Sequence, residues 1–288
     1  MKVSGTTFIR NATIYNYPVV EAIKSILPIC DEFIVNVGDS IDNTEEMVRG
    51  INDKRIKIIH SVWDENLREG GKIFALQTNI ALKEASGDWI FHINADEAVH
   101  EEDLDKIYTK MKENFGNKKV EGLTFEFIHF YGSYYTYQKA RNWYRREVRV
   151  IRNGLGIMAY RDGQGFRKES GKKIFTVPSG AKIYHYGWAR SPAAMKEKVL
   201  YFSRFWHDDQ WIEEKIQSKA PEEIFGDLAN LRIFTGTHPK VMQEKVNDEG
   251  LLFILQLREK YLSRRKPLEA IRDFLRRIYI FEYRGFLE

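Results

Sequence analysis

The chain has 288 residues, 43% hydrophobic and 30% charged, with a net charge of +4. That balance supports a packed core and excludes a disordered or low-complexity chain, and the charge is too weak to imply nucleic acid as a partner. A single cysteine, Cys30, excludes an internal disulfide framework and fits a reducing compartment.

No apolar run reaches the roughly 18 residues of a membrane span. Residues 1–15 (MKVSGTTFIRNATIY) lack the apolar centre of a signal peptide. The expected location is cytoplasmic.

The first half alternates strand and helix signals. Val3 to Ile9 reads as a strand, and Pro18 to Ile29 as a helix with proline in its first turn. Phe33 to Val37 is a β-rich run that stops at Gly38-Asp39-Ser40. Asp42 or Ser40 is placed to cap the helix that follows. Arg55 to Val62 reads as a third strand. Gly71 to Ala85 carries Ile73, Leu76, Ile80 and Leu82 close to helical spacing, and Gly87 follows as a C-terminal glycine. Asp88 to Ile93 is a short bulky strand that ends abruptly on Asn94-Ala95-Asp96-Glu97. A helix from about Glu101 to Phe115 comes next.

Strands separated by helices of this length mean βαβ units and a mostly parallel sheet. Their C-terminal ends then share one edge, so residues 8–17, 37–44, 63–72 and 94–97 should converge where α/β sheets bind ligands.

The second half differs. Residues 120–131, 143–152 and 181–188 read as strands with no helices between the first two. In the middle one Val148 and Val150 share a face, and Arg145, Glu147 and Arg149 share the other. A helix begins near Ser191-Pro192. Past about Pro221 the pattern is helical, charged and aromatic. The reading is one α/β domain over 1–220 with a helical extension over 221–288. Residues 262–286 are basic and amphipathic, which suits packing, a partner, or peripheral contact with an anionic membrane.

Four features carry chemistry. Asp96 and Glu97 at a strand end suit a hard cation with a diphosphate, since Mg²⁺ takes one or two carboxylates and leaves its other positions to phosphate and water. His185, ending a strand before Arg190, suits Mn²⁺ or a similar ion. Residues 66–72 (NLREGGK) open a helix with Arg68 and Lys72 beside two glycines, a setting for an anion. Asp39 and Asp42 follow a strand, where a carboxylate can accept from a base or a ribose. The aromatic- and arginine-rich residues 130–147 suit an acceptor groove.

Together these segments resemble a family 2 glycosyltransferase of the GT-A fold. Residues 37–44 (VGDSIDNT) are similar to the family's V-D-D-G-S-T-D-G-T. Ala85 to Ile90 (ASGDWI) match its A-x-G-D-[WY]-[IV], and Asn94-Ala95-Asp96-Glu97 match D-A-D-[DE] in three of four places. The resemblance implies an α/β Rossmann-like mostly parallel sheet with helices on both faces. It implies a hexosyltransferase-like enzyme of cell-envelope polysaccharide, moving a sugar from a nucleotide-diphosphate sugar to a saccharide or lipid-linked acceptor, with inversion and with Mg²⁺ or Mn²⁺.

On that resemblance Asp96 is a metal ligand and His185 a second one. Asn94 and Asp39 face the nucleotide, and Arg10, Arg68, Lys72, Arg149 and Arg190 are cations for its phosphates. A catalytic base is expected C-terminal to the metal motif, with Asp162 first and Glu169 second. Two departures stand out: Asn94 replaces an acid, and Val37-Gly38 replaces an acid pair. Asn94 and the lack of a clear base signature motivate an alternative, a degenerate module that binds a nucleotide-sugar or partner without turnover. A nucleotidyltransferase is disfavoured, because residues 8–17 lack its glycine-rich loop.

Overall fold

A computed structural model describes residues 1–226, 228–248 and 250–264. Strands β1 (Val3–Ile9), β2 (Glu32–Gly38), β3 (Ile56–Ser61) and β4 (Trp89–His92) run parallel in the order β3-β2-β1-β4. Helices α1 (Val19–Ile26), α2 (Thr44–Arg49) and α3 (Lys72–Lys83) lie on the crossovers.

Alternation along β2 sorts the helices between the two faces. Phe33 and Val35 join Val19, Ile23 and Ile26 of α1 in one core, while Ile34 joins Ala81 and Leu82 of α3 in another. The sheet thus has helices on both faces, and the four loops after its strands gather at one edge. There Asn11 donates its backbone N–H to Ser40 Oγ, and Arg10 pairs with Asp39.

Beyond β4 the direction changes. The chain adds β5 (Glu97–Val99) and, after α4 (Leu104–Glu113), β6 (Gly122–Tyr131), β7 (Thr136–Gln138) and β8 (Arg146–Arg152). Strand β8 lies antiparallel between β4 and β6. A hairpin of β9 (Ile157–Tyr160) and β10 (Gly165–Lys168) follows. The long β11 (Thr176–Trp188) pairs parallel with β6 and antiparallel with β5. Helix α5 (Pro192–Ser203) is capped by Ser191, whose Oγ accepts from the Ala194 amide, and α6 (Asp209–Ile212) follows.

The helical reading past Pro221 needs one correction. Strand β12 (Leu231–Ile233) pairs antiparallel with β7 before α7 (Leu251–Arg264) begins. Ile254 of α7 packs with Tyr131 of β6 and Met195 of α5. The basic amphipathic stretch lies outside the described residues from 265 onward. Among the described residues no helix is long and apolar enough to cross a membrane.

Glu32 ties the start of β2 to its neighbours. Its carboxylate accepts from Lys2 Nζ at 2.9 Å, Ser4 Oγ at 2.5 Å and the Ser86 amide at 2.7 Å. Burial works against the charge, but these donors win and hold the carboxyl at about 2. A depressed carboxyl contributes stability above its ordinary pKa and loses it as pH falls. Glu32→Gln should therefore cost on the order of 2 kcal/mol at pH 7, after allowance for partial exposure, and flatten the loss of stability between pH 4.5 and 2. Urea titrations at several pH values check this.

Candidate active site

At the C-terminal edge of the parallel strands lies a cavity of about 260 Å³, at the lower edge of the range for ligand pockets. Its floor is Phe8, Ile9 and Arg10 after β1, Trp63 after β3, and Asn94, Ala95 and Asp96 after β4. Asp162 and Gln164, from the turn between β9 and β10, form one wall. Tyr17, His185 and Lys198 form another, and Phe202 and Trp206 close it from the α5 side. Aromatic rings pack on that side: Phe202 stacks on Phe74, Trp206 lies 5.0 Å from Phe74, and behind them Tyr201 stacks on Tyr15 at 4.8 Å. Such rings exclude water, which strengthens every charge beneath them.

The acidic pair is divided by the backbone. Glu97 turns inward as the first residue of β5 and meets Arg149 through two bonds, Nε to Oε2 at 2.8 Å and Nη2 to Oε1 at 2.6 Å. Both side chains are fully buried. Burial opposes both charges, yet Arg149 holds the Glu97 carboxyl below its usual range, and Glu97 holds the guanidinium above its own. Glu97 also accepts from the Asn94 amide and from Asn94 Nδ2 at 3.0 Å, while Asn94 Oδ1 lies 3.2 Å from His92 Nε2. This accounts for the Asn94 departure. An acid there would set a second carboxylate against Glu97, whereas the amide donates to it.

Asp96 alone faces the cavity. Its Oδ2 accepts from Lys198 Nζ at 3.1 Å, and its Oδ1 lies 3.7 Å from His185 Nε2. Burial disfavours its charge, but Lys198 and His185 outweigh that and hold the carboxyl well below the usual range. Lys198 is itself enclosed. Its ammonium donates to the Gly187 carbonyl at 3.1 Å and sits 4.8 Å over the Tyr17 ring, and burial pushes it down to about 8 despite Asp96. Gly187 is required by closeness. A Cβ there would stand 2.6 Å from Asp96 Oδ2 and 2.8 Å from His185 Nε2.

A chain of hydrogen bonds fixes the tautomer of His185. His129 Nε2 donates to the Tyr144 carbonyl at 2.7 Å, and burial together with His185 keeps the His129 ring neutral, its pKa lowered to about 3. The bare Nδ1 of His129 then accepts from His185 Nδ1 at 3.0 Å. His185 Nε2 is left facing Asp96 Oδ1. An imidazole nitrogen and a carboxylate oxygen thus converge at 3.7 Å, close enough to pair directly or to share a cation. The donor set, one carboxylate and one imidazole, fits Mg²⁺ or Mn²⁺ that takes its other ligands from a diphosphate and water. Among the described residues no group of three or more such side chains forms a closed cage.

The cavity brings together Arg10, Asn94, Asp96, Asp162 and His185 of the expected residues. Asp39 and Arg190 stand just behind it. Asp39 pairs with Arg10 and accepts from the Trp63 amide at 3.1 Å. The acid expected at position 38 is glycine because a Cβ there would meet Trp63 Nε1 at 2.5 Å. Asp42, also read as a cap, does bond the Thr44 amide at the start of α2, and it accepts from the Thr13 and Ile14 amides as well. Arg190 donates to the Tyr15 and Gly187 carbonyls and lies 5.1 Å over Tyr17.

Four expected residues lie elsewhere. Arg149 is sealed in the core by Glu97. Arg68 clasps the carbonyls of Arg204 and His207 and the Asp209 carboxylate, so residues 66–72 anchor the chain after α5 and do not face the cavity. Lys72 pairs with Glu69 in solvent. Glu169, exposed past β10, is not among the lining residues. Lys198, His129, Trp63 and the α5 aromatics were missed by the motif reading. The apolar spacing around MKEKVLYF marks a helix but not which lysine turns inward.

The model of the family described as glycosyl transferase family 2 matches residues 13–175. The chain belongs to that family. Its α/β sheet, parallel through β3-β2-β1-β4 and mostly antiparallel beyond β4, is the fold class that the sequence motifs implied. No curated protein matches the sequence. Among solved structures, TarS of S. aureus (residues 1–349) is similar at 15% identity, over 80% of this chain and 71% of that one, with a TM-score of 0.40. The same protein in complex with UDP-GlcNAc matches over 88% and 76%, again at 15% and 0.40. Glucosyl-3-phosphoglycerate synthase of Mycobacterium tuberculosis, in complex with Mn²⁺, UDP and glucosyl-3-phosphoglycerate, matches at 17% identity over 46% and 45%, with a TM-score of 0.31.

Proposed function

We propose that the protein transfers a sugar from a nucleotide-diphosphate sugar to a saccharide hydroxyl, with inversion, at the cavity beneath α5. The observation that carries this reading is the Asp96–His185 pair, a carboxylate and an imidazole converging at the head of a parallel sheet, with Asp162 lining the same cavity. Asp96 Oδ1 and His185 Nε2 would hold Mg²⁺ or Mn²⁺. When bound, that ion would act as a Lewis acid on the diphosphate leaving group.

The chain's own residues supply the rest. Arg10, held by Asp39 and Glu65, presents a fixed cation at the rim. Asn94 keeps the strand end in place through Glu97. Asp162 takes the proton of the acceptor hydroxyl as its oxygen attacks the anomeric carbon and the bond to the diphosphate breaks, since a neutral hydroxyl is a poor nucleophile. The sugar carbon passes through an oxocarbenium-like state. The hexosyltransferase subtype and a cell-envelope acceptor, free or lipid-linked, are the finer form of the proposal. Residues 221–288 form the proposed extension of the 1–220 domain; of its described part, β12 pairs with β7, and Ile254 of α7 packs with β6 and α5.

Calorimetry with UDP, GDP and dTDP, each with Mn²⁺, Mg²⁺ or EDTA, tests the reading. The expected result is metal-strengthened binding of one nucleotide, weakened about tenfold or more by Asp96→Ala, together with turnover of the matching nucleotide-sugar. No binding under any condition would overturn it in favour of a degenerate module.

A further inference from the structure

Lys198 is a fixed positive charge inside the cavity that no motif assigns. It is held by Asp96 Oδ2, the Gly187 carbonyl and the face of Tyr17, with 12% of its side chain exposed. Its place is not that of a surface ion pair. Both members are almost wholly enclosed, so removing either leaves an uncompensated charge. The cavity's charge count follows from its neighbours. Asp96 contributes one negative charge and Lys198 cancels it. Asn94 contributes none. Glu97 is neutralised by Arg149, while Arg10 meets two carboxylates, Asp39 and Glu65, and Asp162 lines the same cavity. Arg190 lies over the same Tyr17 ring as Lys198 and adds a second positive charge.

The carboxylate that would hold the ion is thus already paired with an ammonium, which weakens its attraction for a free divalent cation. Lys198 and Arg190, side by side over Tyr17, attract a diphosphate, whose negative charges compensate both cations. We infer that Lys198 couples the metal to the donor: by neutralising Asp96 it keeps the divalent ion from binding alone, and its ammonium meets the diphosphate that brings the ion in. This rests on the donor reading above and goes beyond it, since it names the residue that sets the order and synergy of binding. Lys198 keeps its hold on Oδ2 while Oδ1 and His185 Nε2 stay turned toward each other, so the lysine and the ion do not compete for the same atom.

Mn²⁺ titrations followed by electron paramagnetic resonance, without nucleotide and then with UDP, GDP or dTDP, test the inference on wild type, Lys198→Met and Lys198→Gln. Wild type should bind Mn²⁺ at least about tenfold more weakly alone than with the matching nucleotide. Both variants should bind Mn²⁺ alone about tenfold or more tightly than wild type, and bind the nucleotide in EDTA about tenfold or more weakly, because a full unit charge is removed at short range in an enclosed site. Circular dichroism confirms that they fold, and the glutamine variant serves if methionine does not.

Two outcomes count against separate claims. If wild type binds a nucleotide but the variants take up Mn²⁺ alone no better than wild type, the inference about Lys198 falls and the donor reading stands. If none of the three nucleotides binds wild type with or without metal, the donor reading falls and takes the coupling with it.

Discussion

Asp162→Asn lowers kcat by about 10²- to 10⁴-fold while the nucleotide still binds, because the substitution removes a proton acceptor and keeps the shape. The backbone explains why this carboxylate joins Asp96 in facing the cavity. Arg161 and Gly163 flank it with φ of +56° and +77°, so two left-handed residues turn the chain sharply between β9 and β10. A non-glycine residue in that region carries strain, which persists only where the surroundings impose it. The turn is pressed against the start of α3. A Cβ added at Gly71 would come within 2.9 Å of the Asp162 side chain. Asp162 Oδ1 accepts only a long bond of 3.3 Å from the Gln164 amide, which leaves lone pairs for an acceptor hydroxyl.

Glu147 is the control. It is largely enclosed, and burial, with Asp162 nearby, raises its carboxyl above the ordinary range. It accepts from Gln164 Nε2 at 3.1 Å but does not line the cavity. Glu147→Gln should therefore change kcat much less than Asp162→Asn. Steady-state kinetics with a nucleotide-sugar and acceptor, and nucleotide affinity measured alongside, separate the two. A kcat that follows Glu147 and ignores Asp162 would move the base to Glu147.

The sheet was legible where burial is uniform. β2 and β4 are runs of bulky residues, β1 is β-branched and apolar at both ends, and the structure places all three within two residues of the expected ends. What periodicity could not reach are elements whose reason is distant. β5 is three residues long and exists because β11, 84 or more residues later, pairs with it. The β9–β10 hairpin looked like a polar loop because its turn serves the cavity and not the core. Arg149 fell on the face that alternation marks as polar, but that face of β8 meets Glu97 from β5, so both faces are buried from Arg149 onward. Lys198 was hidden for the same reason in reverse: a lysine on a charged helix reads as solvated unless its partner, 102 positions earlier, is known.

Glu97→Gln is expected to cost about 3–5 kcal/mol, the largest stability effect of any single change considered. The reason is the asymmetry of a buried pair. Arg149 has no exposed side-chain surface, and its other bonds go to the Val148 and Gln164 carbonyls, so a neutral partner leaves a guanidinium charge in the core. The loss spreads along a connected path. Glu97 anchors Asn94, Asn94 meets His92, and His92 Nδ1 lies 3.1 Å from Thr6 Oγ1, which links β5 back to β1. The backbone between Asn94 and Glu97 carries Asp96, so loosening this path should also weaken nucleotide binding, although Glu97 does not line the cavity. Glu97→Gln with Arg149→Met removes both charges and should restore much of the stability, since burying neither ion is cheaper than burying one. Urea unfolding of the two single variants and the double variant gives the coupling energy directly. Additive losses would mean that Glu97 and Arg149 do not act as a pair.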